Sequence, residues 1–504
     1  MAKKSLFAII GIVTIINVVS RLFGFIREAV IGYHFGTSSQ ADSVILAYTI
    51  PTFLYMVVGG AITTAFISIY KKIDRPEQQK QFKELILTYT VLIMGLLSIV
   101  FVLFAKPITS FFFTGLSTEE ARVTAFLFAV MAPSTLFLVT SMWLSGVLNV
   151  HDRFFSPALA TLLNNAGFVL LAVLLYPAIG IQAYGVGAVV GAVGMFVWLI
   201  YDVRKNRLMS FRFRFFLEQS EYVKRMLKIG IPILLGGATL QFYFLLHRVF
   251  ASELTEGFIA ALNYSSKLVQ LPQVILMTAV TTVIYPKLAG QVAKKQFDEV
   301  SMMYEKGIRL LFLFIVPVSI FLYFYAEDTV RFIFEYGSFT TESTRITAEL
   351  LQLFVIGMFA HAANVYVTRF FYAMEHPLYP VVSGVIAVFG LNIALIVLFI
   401  DSFGAHAIAA ATTISAYAQL IFLFIISQFV LKLTRKGFLF LSKYVMLSIL
   451  LTGGMFLFVE LIPSSVTLVN LMVGFIGFIV LFLGLGKLCR ISEIEMIWMK
   501  LTRK

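Results

Sequence analysis

Charged residues are scarce in this sequence, at 13% of 504, where a soluble domain averages roughly a quarter. So few charges cannot clothe a water-facing surface of this length. Long polar linkers are missing too, which excludes a string of soluble domains. Disorder is excluded by the 60% of hydrophobic residues, which must be buried somewhere. Cysteine occurs once, as Cys489, so neither an intramolecular disulfide framework nor a cysteine-based metal site can form. No Walker A run is present, and hence no ATP is expected to be hydrolysed by this chain. The remaining solvent for so much apolar surface is a bilayer.

What the sequence does have is long apolar runs and an excess of positive charge. A membrane helix needs about 20 apolar residues. Cutting at polar and Pro/Gly breaks gives fourteen candidate spans, near 5–32, 42–70, 84–105, 122–150, 155–177, 181–202, 222–250, 257–286, 307–326, 345–374, 378–401, 405–430, 440–462 and 465–487. The first follows Met1-Ala-Lys-Lys and lacks a small-residue cleavage site, so it reads as a retained helix rather than a signal peptide. The net charge of +13 would ordinarily suggest nucleic acid; in a membrane protein it reads as topology instead. With the N-terminus in the cytoplasm, the loops 71–83, 204–228, 287–309, 432–443 and 487–504 hold most of the Lys and Arg, while the outer loops hold Lys106, Arg122, Arg331 and Arg345. This is the asymmetry of the positive-inside rule. An even count of spans returns the C-terminus to the cytoplasm.

The halves repeat. Arg27, Gly36 and Pro51 recur at one constant spacing as Arg248, Gly257 and Pro272, with Asp42 falling on Asn263. Phe155-Ser-Pro157 is echoed by Leu378-Tyr-Pro380, and Gly185 is matched with Gly404 at a slightly different offset. The expected organisation is a six-helix lobe at 1–202, a cytoplasmic linker at 203–221, a second six-helix lobe at 222–430, and two further helices with a tail at 431–504. Parallel repeats about a central substrate path are a known transporter design. Pro51 and Pro272 fall mid-helix, where a lost backbone bond permits bending, and are candidate hinges.

Charges inside spans are costly and usually mark a transport path. On the first span Asn17, Ser20, Arg21, Gly24, Arg27 and Glu28 fall on one face at 100° per residue. Arg21, Arg27, Arg248 and Lys267 are the candidate substrate-binding cations; Arg369, near a span end, can reach the interface. Glu28 and Asp42 are candidates for positioning these cations or coupling the state change. The plain alternative is ion pairing that only fixes helix packing. Against it, the cations outnumber the acids, and a positive interior suits an anion, especially phosphate oxygens met by the guanidinium fork. His151-Asp152 and Glu375-His376 read as solvated turn residues, since no nucleophile constellation accompanies them, and no enzyme is expected.

Ser20-Arg-Leu-Phe-Gly-Phe-Ile-Arg-Glu28, Phe35-Gly36, Asp42, Ile50-Pro51, Gly146-Val-Leu-Asn149, Tyr264-Ser-Ser-Lys-Leu-Val-Gln-Leu-Pro272 and Arg369-Phe-Phe-Tyr-Ala-Met374 together resemble the MurJ (MviN) lipid II flippases. The resemblance covers most of the chain. It implies the fold of the multidrug/oligosaccharidyl-lipid/polysaccharide exporter superfamily: an all-α polytopic membrane protein with two six-helix lobes and two C-terminal helices that hold a polyprenyl tail. It also carries the family's cavity charges over to Arg21, Arg27, Glu28 and Asp42, and a family arginine to Lys267. The sequence departs from the pattern in having no arginine in Thr52–Met56, Gly59 for a glutamate, and His247 for an aspartate.

The expected activity is therefore movement of lipid II from the inner to the outer leaflet of a bacterial cytoplasmic membrane by alternating access, in cell wall biosynthesis. Other readings stay open: an exporter of another polyprenyl-diphosphate glycan or of a small molecule, or a non-transporting scaffold for wall synthesis. The expected partners are lipid II, membrane lipids and cell wall synthesis proteins, with no nucleic acid. No cofactor or metal is expected, and the driver would be the membrane potential or an ion gradient.

Overall fold

The computed structural model describes residues 2–215, 220–236, 239–433, 441–461 and 466–496. Without water in the hydrocarbon core, every backbone polar group must find a partner within its own segment, and helices achieve this. Most of the described residues are accordingly helical, joined by short turns and a non-helical stretch at 206–215, with no strand among them.

The first unit, Met1–Ala260, contains α1 (Ala2–Phe35), α2 (Ser39–Tyr70), α3 (Pro76–Leu103), α4 (Ala105–Phe112), α5 (Thr118–Met131), α6 (Ser134–Asn149), α7 (Phe155–Ile179), α8 (Gln182–Lys205), α9 (Ser220–Gly236) and α10 (Thr239–Ala251). Helix α11 (Phe258–Ala293) begins there and continues into the second unit, Ala261–Lys504. The second unit adds α12 (Phe297–Phe324), α13 (Ala326–Phe334), α14 (Thr341–Ala373), α15 (Leu378–Phe403), α16 (Ala405–Leu431), α17 (Ser442–Leu461) and α18 (Thr467–Leu488).

Ten of the described helices are long and apolar enough to cross a membrane, and an eleventh span forms if α5 and α6 count as one. Helices also occupy the other stretches read as spans, in α1, the α9–α10 pair and α11. One expected span is not straight: α5 and α6 meet at 43°. Pro133 sits at the break, where it cannot supply an amide to the preceding turn. The start of α5 is set locally. Ser117 Oγ accepts from the Glu120 amide at 3.3 Å while the Ser117 amide donates to Glu120 Oε2 at 2.8 Å, a capping box that satisfies two end amides.

The repeat is visible as backbone shape. Gly36 and Gly257 both take positive φ, and the turn at Asp152 matches that at Glu375. In each turn the next residue's amide reaches back to a helix carbonyl, Arg153 to Leu148 and His376 to Phe371. One pairing needs correction. The counterpart of Gly404 (φ 52°, ψ −131°) is Gly180 (φ 59°, ψ −138°), since both end a helix in the same conformation, one that essentially only glycine adopts. Gly185 lies inside α8, where its hydrogen faces the Val130 side chain. Phe104 and Tyr325, with nearly the same angles, each break a span and start a short helix, α4 or α13. Those helices lie in the connections after the expected spans 84–105 and 307–326.

Within the first unit the core gathers Phe66, Phe82, Trp143, Leu148 and Leu199. Helices α7 and α8 approach so closely that a Cβ on Gly191 would lie 2.6 Å from the Asn164 carbonyl oxygen, and one on Gly187 2.8 Å from that of Phe168. In the second unit Thr413 donates to the Leu353 carbonyl at 2.9 Å and Asn364 to that of Ala416 at 2.9 Å, joining α14 to α16. Asp328 accepts from Asn470 at 2.7 Å, joining α13 to α18. Overpacking typically costs about 1–3 kcal/mol, and the obstacles at Gly191 and Gly187 are backbone atoms that cannot rotate aside. Gly191→Val is therefore expected to lower the thermal unfolding midpoint in detergent, whereas Gly194→Val, where nothing lies within 4 Å, should leave it nearly unchanged.

Candidate functional site

The polar face of α1 divides its residues between packing and charge. Asn17 and Arg21 are exposed, whereas Ser20 is buried and is met by Asn165 of α7, whose Nδ2 donates to the Ser20 carbonyl at 3.0 Å and to its Oγ at 3.1 Å. Gly24 lies over the same Asn165 side chain. The end of α1 is held by His34, stacked on Tyr176 at 3.8 Å between ring centroids and 2.7 Å from the Tyr184 hydroxyl. Tyr184 in turn donates to the Val30 carbonyl at 3.2 Å. These contacts fix the rotation of α1 and hence where Arg27 and Glu28 stand.

Arg27 Nη2 meets Glu28 Oε1 at 2.6 Å and its Nε meets the same oxygen at 3.2 Å. The two side chains are 17% and 3% exposed, so the pair is shielded from water. The Arg27 guanidinium carbon also lies 5.2 Å from the ring centres of both Tyr48 and Phe168. A guanidinium prefers such ring faces because the π-system presents negative charge there. Arg248, half-buried on α10, lies within electrostatic reach of Glu28 and of Arg27. Two cations thus lie near one carboxylate. A guanidinium has five N–H donors, and Glu28 takes two of those on Arg27.

Asp42 does a different job from the one its sign alone suggests. Its side chain is buried on α2, and Oδ2 accepts from the Gly257 amide at 2.6 Å while Oδ1 accepts from the Ala260 amide at 2.7 Å. It therefore satisfies donors at the first turn of α11, where the helix dipole also favours a negative charge. Close by, a Cβ on Gly257 would strike the Thr37 carbonyl, and one on Gly115 the Ser252 carbonyl. Thr114 donates to Glu253 at 2.9 Å. The turn between α10 and α11 is thus seated on the α1–α2 and α4–α5 turns.

The structure brings Arg27, Glu28 and Arg248 together and leaves Arg21 six residues earlier on α1, about 9 Å along its axis. Lys267 belongs to the second unit, where its Nζ lies 3.5 Å from Gln270 Oε1 on the same helix. Pro51 is buried inside α2, and a π-helical turn follows at Tyr55–Gly59; Pro272 lies within α11. Sequence reasoning did not find Tyr48 or Phe168. Aromatic residues are so common here, at 15%, that no pattern marks the two that face a cation. His151 also differs from expectation. It is half-buried against the Tyr70 ring, and burial together with the Lys83 ammonium holds its imidazole below the usual range. Glu375 and His376 are exposed on their turn, as read.

Replacing Asp42 by Asn would keep one acceptor and turn an NH2 toward the other amide. Leaving a buried donor unsatisfied costs about 1–3 kcal/mol, so Asp42→Asn should lower the unfolding midpoint measurably in a detergent melt.

Known proteins share this fold. A probable lipid II flippase MurJ from Borreliella burgdorferi is 26% identical over 416 residues, 81% of this chain and 80% of that one. A solved lipid II flippase MurJ, in an inward closed conformation, superposes with a TM-score of 0.82 at 23% identity, covering 94% of this chain and 98% of the other. An inward-facing multidrug resistance MATE family transporter of the MOP superfamily shares the fold at a TM-score of 0.69 and 13% identity, covering 83% and 99%. The family model described as lipid II flippase MurJ matches residues 31–482, and this chain therefore belongs to the MurJ family.

Proposed function

We propose that this protein carries lipid II, a polyprenyl-diphosphate glycolipid, from the inner to the outer leaflet of a bacterial cytoplasmic membrane, with both termini in the cytoplasm. The observation that carries the reading is the Arg27–Glu28–Arg248 cluster, in which two guanidinium groups gather near one carboxylate and the Arg27–Glu28 pair is shielded from water. Inside a membrane such a site attracts an anion, and the planar fork of arginine matches phosphate oxygens. Glu28 keeps Arg27 oriented when no substrate is present, and a diphosphate would compete for the same guanidinium. No bond of the substrate is made or broken, so translocation needs only binding and a change of access.

Alternating access requires contacts that can be broken and re-formed. The two bonds from Asp42 to the first turn of α11 are of this kind, because they tie side chain to backbone across separate helices. Pro51 and the π-helical turn behind it give α2 a place to bend. In this reading residues 1–202 and 222–430 act as the two six-helix lobes, with 431–504 outside the repeat, and Arg21 and Lys267 assist in holding the diphosphate.

Arg27→Ala and Arg248→Ala are each expected to abolish complementation of a flippase-depleted strain while the protein still inserts. Normal growth with either variant would mean that the cluster serves packing alone. Native mass spectrometry of the purified protein should find a polyprenyl-diphosphate lipid that is lost in Arg27→Ala. A different glycan on that lipid would redirect the substrate assignment. A diphosphate carries about two negative charges, each gaining about 2.3 kcal/mol per 100 mV on moving outward through the full field. Vesicle flipping should therefore slow when the potential is collapsed, and a rate indifferent to an imposed potential would refute that coupling.

A further inference from the structure

Residues 206–215, after α8, are not helical and run along the beginning of α3. Lys83 donates to the Leu208 carbonyl and Ser210 to Glu84. Arg214 Nε meets Glu84 Oε2 at 3.1 Å, the Arg214 amide donates to Thr88 Oγ1 at 2.8 Å, and the Tyr89 hydroxyl donates to the Phe215 carbonyl at 2.9 Å. Bonds from both backbone and side chains pin this strap to about 9 Å of helix.

Its side chains alternate. Phe211 lies under the Arg204 guanidinium at 4.9 Å, and Arg214 is held by the buried Glu84. Between and beyond them Arg212 faces outward, with Phe213 64% and Phe215 52% exposed. A strap held this firmly had the option of turning its phenyl rings inward; it presents them instead. Their level follows from α3. Tyr89, whose hydroxyl holds Phe215, begins an exposed stripe of Leu92, Ile93, Leu96, Ile99 and Leu103, spaced three and four residues apart along one face. That stripe is the lipid-facing side of α3, so the two phenyl rings emerge where the hydrocarbon begins. Arg204, Lys205, Arg207 and Arg212 of the same segment are all exposed, and residues 203–215 include no acid.

We propose that residues 204–215 form an interfacial anchor for anionic phospholipid, with Phe213 and Phe215 among the acyl chains and Arg207 and Arg212 on the headgroup phosphates. Aromatic rings flanked by basic side chains suit that boundary, where one end is apolar and the other charged. Which leaflet is involved follows from the orientation proposed above; the anchor itself does not depend on it.

The test uses the full chain with Cys489→Ser, which removes the one native thiol, and a spin label on Phe213→Cys. The protein is placed in nanodiscs of phosphatidylcholine alone or mixed with phosphatidylglycerol. In the mixed lipid the label should be more accessible to oxygen than to a water-soluble nickel chelate. Arg207→Gln with Arg212→Gln should move it toward water-like values, and Arg207→Lys with Arg212→Lys should restore it. By native mass spectrometry the glutamine variant should hold phosphatidylglycerol roughly five-fold more weakly for each charge removed. An unchanged detergent melting point would show that the variant still folds. A label that reads as water-exposed in both lipids overturns the proposal. A label buried equally in both, with phosphatidylglycerol retention unaffected by the glutamines, overturns the assignment to anionic lipid.

Discussion

A guanidinium inside a bilayer needs a counter-charge, a ring face or water, and the arrangement around Arg27 follows from that need. Glu28 supplies the charge from the adjacent position, while Tyr48 of α2 and Phe168 of α7 supply the faces. Each partner is useful only if α1 has the right rotation, which Asn165 and Tyr176 of α7 and Tyr184 of α8 fix. The close packing of α7 on α8 through Gly187 and Gly191 then holds the helices that carry those residues. The charge cluster and the glycine contacts thus belong to one mechanical unit. Arg248 adds a second cation near Glu28.

Asp42 shows how a second carboxylate, on α2, serves a different purpose. Glu28 answers a side-chain charge, whereas Asp42 answers two backbone amides at the beginning of α11. A helix start that is buried must have its first amides satisfied, and here a neighbouring helix does it.

Much of the architecture was legible in the chain. Apolar runs of membrane length, basic loops on alternate sides and the recurrence of Arg27, Gly36 and Pro51 as Arg248, Gly257 and Pro272 follow from bilayer thickness and insertion energetics, which act on composition. The short helices α4 and α13 were not legible, because at 8 and 9 residues, with charged residues among them, they fall short of the membrane-length apolar runs by which spans are found. Gly180 was overlooked for a related reason: nearby Gly185 offered an equally good letter match, and only the backbone angles identify which glycine ends the helix.

The sequence by itself determined that this is a membrane protein, which residues bear charge within it and that its halves are related. It did so because burying charge or leaving a backbone group unpaired in hydrocarbon is costly wherever it happens, independent of tertiary detail. Only the tertiary structure decided what each charge faces. Arg27 meets two aromatic rings, Asp42 meets a helix start rather than a side chain, and the basic linker lies against α3 with Phe213 and Phe215 turned outward. These outcomes depend on contacts between residues far apart in the chain, and helical periodicity gives each residue a face without saying what stands opposite.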